Sequence, residues 1–497
     1  MMSQAERLIL CVTTGRSGTA LLADLFASLD GVVSLHEPEP KFSHVMRAAQ
    51  EHPEVARRFW QLAKLSVVAA TRVPIYVETS HLACKGFIEP LLEMGIVPDL
   101  VLLQREMRDV ALSLYELNTI PGRSPEGLKF CLSPGDAHVL ALPGWEKLHD
   151  YQLCYWYCLE TARRAKLYAE AVQARGGAVA TLAFTDLIAG RNLARLFDEL
   201  RIGVTPEELE RAVVATQKVV NAKKEHKQRS GAEIQAQLQT FESEVTARVA
   251  AGRLSEPPPA VPGQGRPLLS SLVLSWNRAD LLRRTLASLT RTMAVAHEII
   301  IVDNASTDGA AEVVRDFVAH TPTAKAIYLR ENLGGEAFNL ALACARGDLI
   351  HLSENDLEYL PGWSERVVEA FTHFPDLGQL SLFGPVPTDD EAWSLKPCSL
   401  VHARGRVLYR AEGNVGTPSV LPRRLFDAGV RIQNSPAVVG LKMPDDHALS
   451  AAVQQAELLV AWNDHYLVRN LGHSITEFNG RPDYYQANYR AKSWLGE

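Results

Sequence analysis

Two short apolar runs, Leu8 to Val12 and Leu269 to Leu274, each lead through a loop of small or polar residues into an amphipathic stretch, Ala20 to Leu29 and Leu281 to Leu289. Brief apolar runs bounded by loops read as buried strands, and apolar residues recurring with a 3.6-residue period read as helix. Further apolar runs at Leu100 to Leu103, Val179 to Phe184, Glu298 to Val302 and Leu349 to Leu352 alternate with helical patterns. That alternation predicts two α/β domains, each with a largely parallel sheet and its ligands at the carboxyl ends of the strands.

Between the halves, Ser255 to Pro267 is rich in proline and glycine. Prolines stiffen an extended chain and glycines interrupt regular elements, so the expected division is a domain over 1–254, a linker over 255–267 and a domain over 268–497. A polar helical stretch precedes the linker. It opens at Thr205-Pro206-Glu207-Glu208, where Thr205 caps, Pro206 takes the first helical position and Glu208 completes a capping box.

Composition narrows the function classes. The chain has 497 residues, 47% hydrophobic and 22% charged, which suits folded domains with their own cores. A formal net charge of −7 gives no general attraction to nucleic acid or anionic membrane. The run Leu8 to Val12 is too short for a signal-peptide core, and no segment has the apolar length of a membrane-spanning helix. A cytoplasmic protein is expected. Seven scattered cysteines with no Cys-x-x-Cys pair are not a disulfide framework, and Cys154 and Cys158, one helical turn apart, read as buried apolar residues.

Candidate chemistry in the first half starts at Thr13-Thr14-Gly15-Arg16-Ser17-Gly18-Thr19, between the first strand and its helix. Free backbone N–H groups and the helix dipole favour an anion there. Gly15 and Gly18 allow close approach of the backbone, Arg16 adds charge, and the hydroxyls of Ser17 and Thr19 are donors. The Gly-Lys-Ser/Thr ending of nucleoside triphosphatases is absent, which disfavours a kinase. The segment resembles the phosphosulfate loop of the sulfotransferase family, in which Gly-x-Ser-Gly-Thr follows the first strand. A second resemblance lies in Gln104 to Ser113. There Arg105 and Ser113 match the residues that hold the 3′-phosphate of the co-substrate PAPS, 3′-phosphoadenosine 5′-phosphosulfate.

Sulfuryl transfer to an alcohol needs a base, and in Ser34-Leu35-His36-Glu37-Pro38-Glu39 the resemblance points to Glu37, with His36 as its rival and Glu39 as a solvated acid. Phe184-Thr185-Asp186-Leu187 resembles a structural strand-end segment of the family. Lys223 to Gly231 is locally basic and reads as a solvated helical run.

In the second half, Ser271 to Arg278 followed by Ile299 to Gly309 resembles the paired opening segments of family-two glycosyltransferases of the GT-A fold. It implies that Ser275, Asn277 and Asp303 lie near the nucleotide, although Asp, Asn and Ser after a strand also make ordinary turns. Asn332, in Arg330-Glu331-Asn332-Leu333-Gly334-Gly335, joins that set. Ser353-Glu354-Asn355-Asp356, ahead of Pro361-Gly362-Trp363, resembles the metal segment. It implies Mg²⁺ or Mn²⁺ on Asp356 and Glu354, since a hard cation on diphosphate oxygens takes carboxylate ligands. Pro444-Asp445-Asp446-His447 resembles the segment that supplies the base, so Asp446 is the candidate base and Asp445 its support; both also suit a helix cap. Val468 to Ser474 resembles the closing His-x-Gly-x-Ser segment. Asn470 replaces a common metal-binding histidine, which leaves His473 as a ligand candidate.

These resemblances imply a bifunctional enzyme of α/β class. A P-loop-type parallel-sheet sulfotransferase fold using PAPS would be joined to a Rossmann-like GT-A domain using a nucleotide-sugar. Both would act on a carbohydrate or glycoconjugate acceptor. The alternatives are an active glycosyltransferase with a regulatory first domain, and a non-enzymatic scaffold.

Overall fold

The computed structural model describes residues 7–217, 228–256, 266–385, 398–436, 441–472, 475–483 and 485–486. The expected linker is largely outside the described residues, as are Lys223 to Lys227, His473 and Ser474. The chain divides into two compact units, Met1–Ala260 and Val261–Glu497. Among the described residues no helix is long and apolar enough to cross a membrane.

The first unit is built on five strands: β1 (Arg7–Val12), β2 (Val32–Leu35), β3 (Ile75–Glu78), β4 (Asp99–Gln104) and β5 (Val179–Ala183). Their order is β2-β3-β1-β4-β5, with every neighbouring pair parallel. Strand β1 is apolar on both faces because helices cover both faces of a parallel sheet. Ile9 and Cys11 pack with Leu22, Phe26 and Leu196 in one core. Trp156, Tyr157 and Cys158, on the long helix Asp150–Gln173, belong to a second. Since β1 lies between β3 and β4, the chain leaving the carboxyl ends of these three strands converges on one crevice. The capping box at Thr205 forms: Thr205 Oγ1 accepts from the Glu208 amide at 3.2 Å, and Glu208 Oε2 accepts from the Thr205 amide at 2.8 Å.

Under this crevice Lys64 and Glu78, both fully buried, pair at 2.8 Å. Lys64 Nζ also donates to the Pro40 carbonyl at 2.9 Å and the Pro38 carbonyl at 3.2 Å. Burial drives the Lys64 pKa down and the Glu78 pKa up, and their mutual attraction opposes both shifts. Lys64→Met should therefore destabilise the first unit by about 3–5 kcal/mol, because it strands a buried carboxyl group. Thermal melts would measure this loss. Adding Glu78→Leu should recover much of it, and a melt unchanged by Lys64→Met would show that the pair does not hold the fold.

The second unit has β6 (Leu269–Ser275), β7 (His297–Asp303), β8 (Ala324–Tyr328), β9 (Leu349–Glu354), β10 (Leu357–Tyr359), β11 (Leu377–Ser381), β12 (Cys398–Ala403), β13 (Arg406–Ala411), β14 (Ser419–Pro422), β15 (Leu459–Trp462) and β16 (Val468–Asn470). Nine of them form one sheet, in the order β12-β13-β15-β11-β14-β9-β6-β7-β8. Strands β9, β6, β7 and β8 are mutually parallel. Beyond them β14 runs antiparallel to both β9 and β11, and β12, β13 and β15 are joined antiparallel. The expected largely parallel sheet is thus corrected to a mixed one, parallel only in the half that carries the sequence motifs, apart from the β11–β15 pair. Its core joins Leu269, Ile301, Trp363, Leu380 and Ala461. Strand β6 lies between β7 and β9, which brings the loops after all three to one edge.

Candidate functional site

In the first unit the β1 loop turns sharply. Gly15 (φ 82°), Arg16 (φ 58°) and Gly18 (φ 88°) all take left-handed conformations. The helix Thr19–Ala27 then starts from Gly18, which has no side chain to cap it. Such a series of turned backbone N–H groups at a helix start forms an anion cradle. The loop is braced from below, where Tyr157 Oη donates to the Thr14 carbonyl at 2.6 Å. Ser17 belongs to this bracing. It is fully buried, with Oγ 2.6 Å from Thr13 Oγ1 and donating to the Gly15 carbonyl at 2.8 Å. The expectation that Ser17 donates to a phosphate is corrected: its hydroxyl is consumed inside the loop, while Thr19 lines the cleft.

That cleft, about 790 Å³, is lined by Gly15, Arg16, Gly18, Thr19, His36, Glu37, His81 and Arg105. Arg105 donates to the Arg16 carbonyl at 2.6 Å and lies over the Phe184 ring at 4.9 Å, while its Nε is buried without a hydrogen-bond partner. Arg16 Nε donates to Ser113 Oγ at 3.3 Å, so the two segments matched by resemblance meet. A side chain at Gly18 would strike Phe184, with Cβ only 2.9 Å from its ring, so the Phe184 segment packs directly under the loop.

Both base candidates face the cleft. His36 Nδ1 lies 3.2 Å from the Thr79 carbonyl; donating there leaves Nε2 as an acceptor. Glu37 sits in the left-handed region at φ 47°, a strained backbone for a non-glycine residue, and its Oε1 is 3.4 Å from His81 Nε2. The sequence reading missed His81.

In the second unit the three converging loops interlock. Asn277 Oδ1 accepts from the Thr307 amide at 2.8 Å, and the Asn277 amide donates to Ser306 Oγ at 2.8 Å. Asn355 Nδ2 reaches the Asn277 carbonyl at 2.7 Å and the buried Ser275 hydroxyl at 3.4 Å. Ser275 and the Asn277 side chain, expected at the nucleotide, therefore tie loop to loop. Asn332 does the same work, accepting from Asn304 Nδ2 at 2.8 Å and from the Gly334 amide at 2.7 Å. Asn304, unremarked in the sequence, is the hub, since its Oδ1 also accepts from the Leu333 amide at 2.8 Å. Asp303 is different: it is 3% exposed, and its Oδ1 is buried without a hydrogen-bond partner. Burial, with Asp308 and Glu312 nearby, raises its pKa. An acceptor left over in this position suits a base or ribose donor.

The turn between β9 and β10 holds Glu354, Asn355 and Asp356. Asp356 is 5% exposed, and its Oδ2 pairs with Arg278 at 2.8 Å. Arg278 also donates to Asn355 Oδ1 at 2.6 Å. Asp356 Oδ1 is buried and has no hydrogen-bond partner. Gly472 closes the other side; a Cβ there would lie 2.2 Å from Asp356 Oδ2, so only glycine fits. A buried network stiffens the strand beneath: His351 contacts Ser271 Oγ at 3.0 Å and Tyr359 Oη at 3.1 Å, and Tyr359 Oη meets Ser353 Oγ at 2.6 Å. Burial pushes the His351 pKa down to about 3, which keeps the imidazole neutral.

Among the described residues no three His, Cys, Asp or Glu side chains stand close enough together to hold a metal ion. The fit to Mg²⁺ or Mn²⁺ rests instead on the orphaned Oδ1 of Asp356. Mg²⁺ typically takes one or two carboxylates together with substrate phosphates rather than an all-protein cage.

Asp445 and Asp446 separate in role. Asp445 caps the helix Asp446–Gln455, its Oδ1 accepting from the Ala448 amide at 2.9 Å, which uses one of its carboxylate oxygens structurally. Asp446 accepts from Thr417 Oγ1. Thr417 is two residues before Ser419, and Ser419 pairs with Leu352, two residues before Glu354. Asp446 is thereby brought to the sheet edge from which Glu354 emerges.

Residues 270–408 match the family described as glycosyl transferase family 2. An uncharacterized glycosyltransferase of Nostoc sp. is 30% identical over 29% of this chain and 52% of its own length. The putative teichuronic acid biosynthesis glycosyltransferase TuaG of Bacillus subtilis is 30% identical over 21% of this chain and 42% of its own length. The chain thus spans about half the length of the curated relatives it matches. The mannosyltransferase PcManGT from Pyrobaculum calidifontis, solved in complex with GDP-Man and Mn²⁺, is similar at 19% identity and a TM-score of 0.29, over 40% of this chain and 58% of that one. So loose an overlay carries no argument about the site. The family match falls wholly in the second unit and spans β6, β7, β9 and the loops that gather around Asp356. The second unit therefore carries a glycosyl transferase family 2 domain on a GT-A-like α/β sheet.

Proposed function

We propose that the second unit transfers a glycosyl group from a nucleotide-sugar to a hydroxyl of a carbohydrate or glycoconjugate. The observation that carries this reading is the buried, unpartnered Asp356 Oδ1 at the edge where the loops after β6, β7 and β9 meet. Asp303 accepts from the nucleoside. Asp356, with Glu354 beside it, holds Mg²⁺ or Mn²⁺, which when bound neutralises diphosphate charge. Asp446 takes the proton from the acceptor hydroxyl as its oxygen bonds to the anomeric carbon. The bond from that carbon to the diphosphate breaks on the opposite face, so the configuration inverts.

The first unit is proposed to transfer a sulfuryl group from PAPS. Support comes from the left-handed loop, the meeting of Arg105, Arg16 and Ser113, and the placement of Glu37 and His36 in the same cleft. The acceptor oxygen bonds to sulfur, the bond from sulfur to the 5′-phosphate breaks, Glu37 takes the proton, and adenosine 3′,5′-bisphosphate leaves.

Two assays on the full chain test these readings separately. Incubation with a panel of UDP-, GDP- and dTDP-sugars and Mn²⁺ should release the nucleoside diphosphate from at least one donor; release from none sinks the first reading. Calorimetric titration with adenosine 3′,5′-bisphosphate should show binding that Arg105→Ala weakens by about ten- to a hundredfold, one charge-assisted contact being worth about 1.5–3 kcal/mol. Absence of binding would leave the glycosyltransferase reading alone.

A further inference from the structure

Behind Glu37 lies a chain of polar groups that the mechanism above does not use. His81 and Lys85 stand four residues apart on consecutive turns after β3. Lys85 is fully buried, and its Nζ lies 2.9 Å from His81 Nδ1, donates to the Phe130 carbonyl, and sits 5.0 Å from the centre of the Tyr157 ring. His81 Nε2, at the other side of the ring, is 3.4 Å from Glu37 Oε1. The imidazole rests against the phosphate loop: a Cβ on Gly15 would come within 2.9 Å of His81 Nδ1.

The chemistry allows one consistent arrangement of protons. A carbonyl oxygen and the face of an aromatic ring both attract an ammonium, so Lys85 is the donor at His81 Nδ1. Nδ1 then carries the lone pair and Nε2 carries the proton, on the side of the ring that stands 3.4 Å from Glu37 Oε1. The opposite tautomer would set the Nε2 lone pair against a carboxylate oxygen. His36 Nδ1 lies 3.2 Å from the Thr79 carbonyl and 3.4 Å from Thr79 Oγ1.

We propose that Lys85 and His81 are positioning residues for Glu37, a Lys–His–Glu relay rooted in a buried lysine that holds the carboxylate in one orientation. The charged groups around His81 are Lys85, Arg16 and Glu37, with His36 also near. Burial and the neighbouring cations hold its pKa well below the usual histidine value, in keeping with a neutral ring. The catalytic consequence rests on the sulfuryl-transfer reading of this cleft, whereas the proton arrangement does not.

Two measurements on the full chain test the relay. The first is ¹⁵N NMR of histidine-labelled protein, with the His81 signals identified by their loss in His81→Gln. The expected spectrum has an unprotonated Nδ1 and a protonated Nε2 near neutral pH. A proton on Nδ1, or an imidazolium, overturns the relay whatever the unit catalyses. The second is sulfate-transfer kinetics of Lys85→Met. The expected result is a kcat lowered about 10- to 100-fold with KM and bisphosphate affinity unchanged, as for loss of a residue that orients another. An unchanged kcat, or a loss confined to KM, overturns the positioning role. If Lys85→Met does not fold, the wild-type spectrum still decides. If the spectrum is as expected but no sulfate is transferred by the wild type, the sulfuryl-transfer reading fails and the relay stands.

Discussion

Replacing Asp356 by alanine is expected to lower nucleotide-sugar turnover by about 10²–10³-fold or more, the scale of losing a principal electrostatic contact to a leaving group. The carboxylate has two oxygens with separate fates. Oδ2 is occupied by Arg278 at 2.8 Å, and Oδ1 has no partner. Asp356→Asn keeps the size of the side chain but removes its charge, so it should lose nearly as much activity while the fold persists. Nucleoside diphosphate release, with circular dichroism to verify folding, measures both. Turnover within tenfold of the parent in a folded Asp356→Ala protein would exclude Asp356 from the donor site and reopen the scaffold reading.

For the first unit, Glu37→Gln should reduce sulfate transfer by about 10²–10⁴-fold, the usual contribution of a general base. Bisphosphate binding should be unaffected, because Glu37 is a proton acceptor rather than a phosphate ligand. His36→Gln should cost much less. The comparison is informative because both side chains line the same cleft, and His36 also presents an acceptor nitrogen. If the histidine variant proves the inactive one, the roles are exchanged.

The local signals in the chain carried a large part of this picture. Strands β1, β6, β7 and β9 and their following loops were readable because a buried parallel strand is a short apolar run and a ligand loop is rich in Gly, Ser, Asn and Asp. The antiparallel half of the second sheet was not readable, since β14 is only four residues, Ser419–Pro422, and its partners come from distant segments. Side-chain direction was also hidden. A hydroxyl in a glycine-rich loop reads as a phosphate donor, yet Ser17 turns inward, and nothing in Gly-Arg-Ser-Gly-Thr distinguishes it from Thr19. His81 and Arg278 were missed for a different reason. Each acquires its meaning from a partner 44 or 78 residues away, Glu37 for one and Asp356 for the other. Arg278 directly follows Asn277, which the sequence did single out, but no local pattern announces a guanidinium that will meet a carboxylate beyond the next three parallel strands.

The order of the cores along the sequence has a consequence for how the chain is made. The buried residues of the first unit's cores run from Ile9 to Val245 and those of the second unit's from Leu269 to Val468. The first unit therefore has all the residues of its sheet in hand as soon as Val179–Ala183 has left the ribosome, well before β6 is synthesised. It can close while the second unit is still being translated, which separates in time two sets of parallel strands that would otherwise compete as pairing partners.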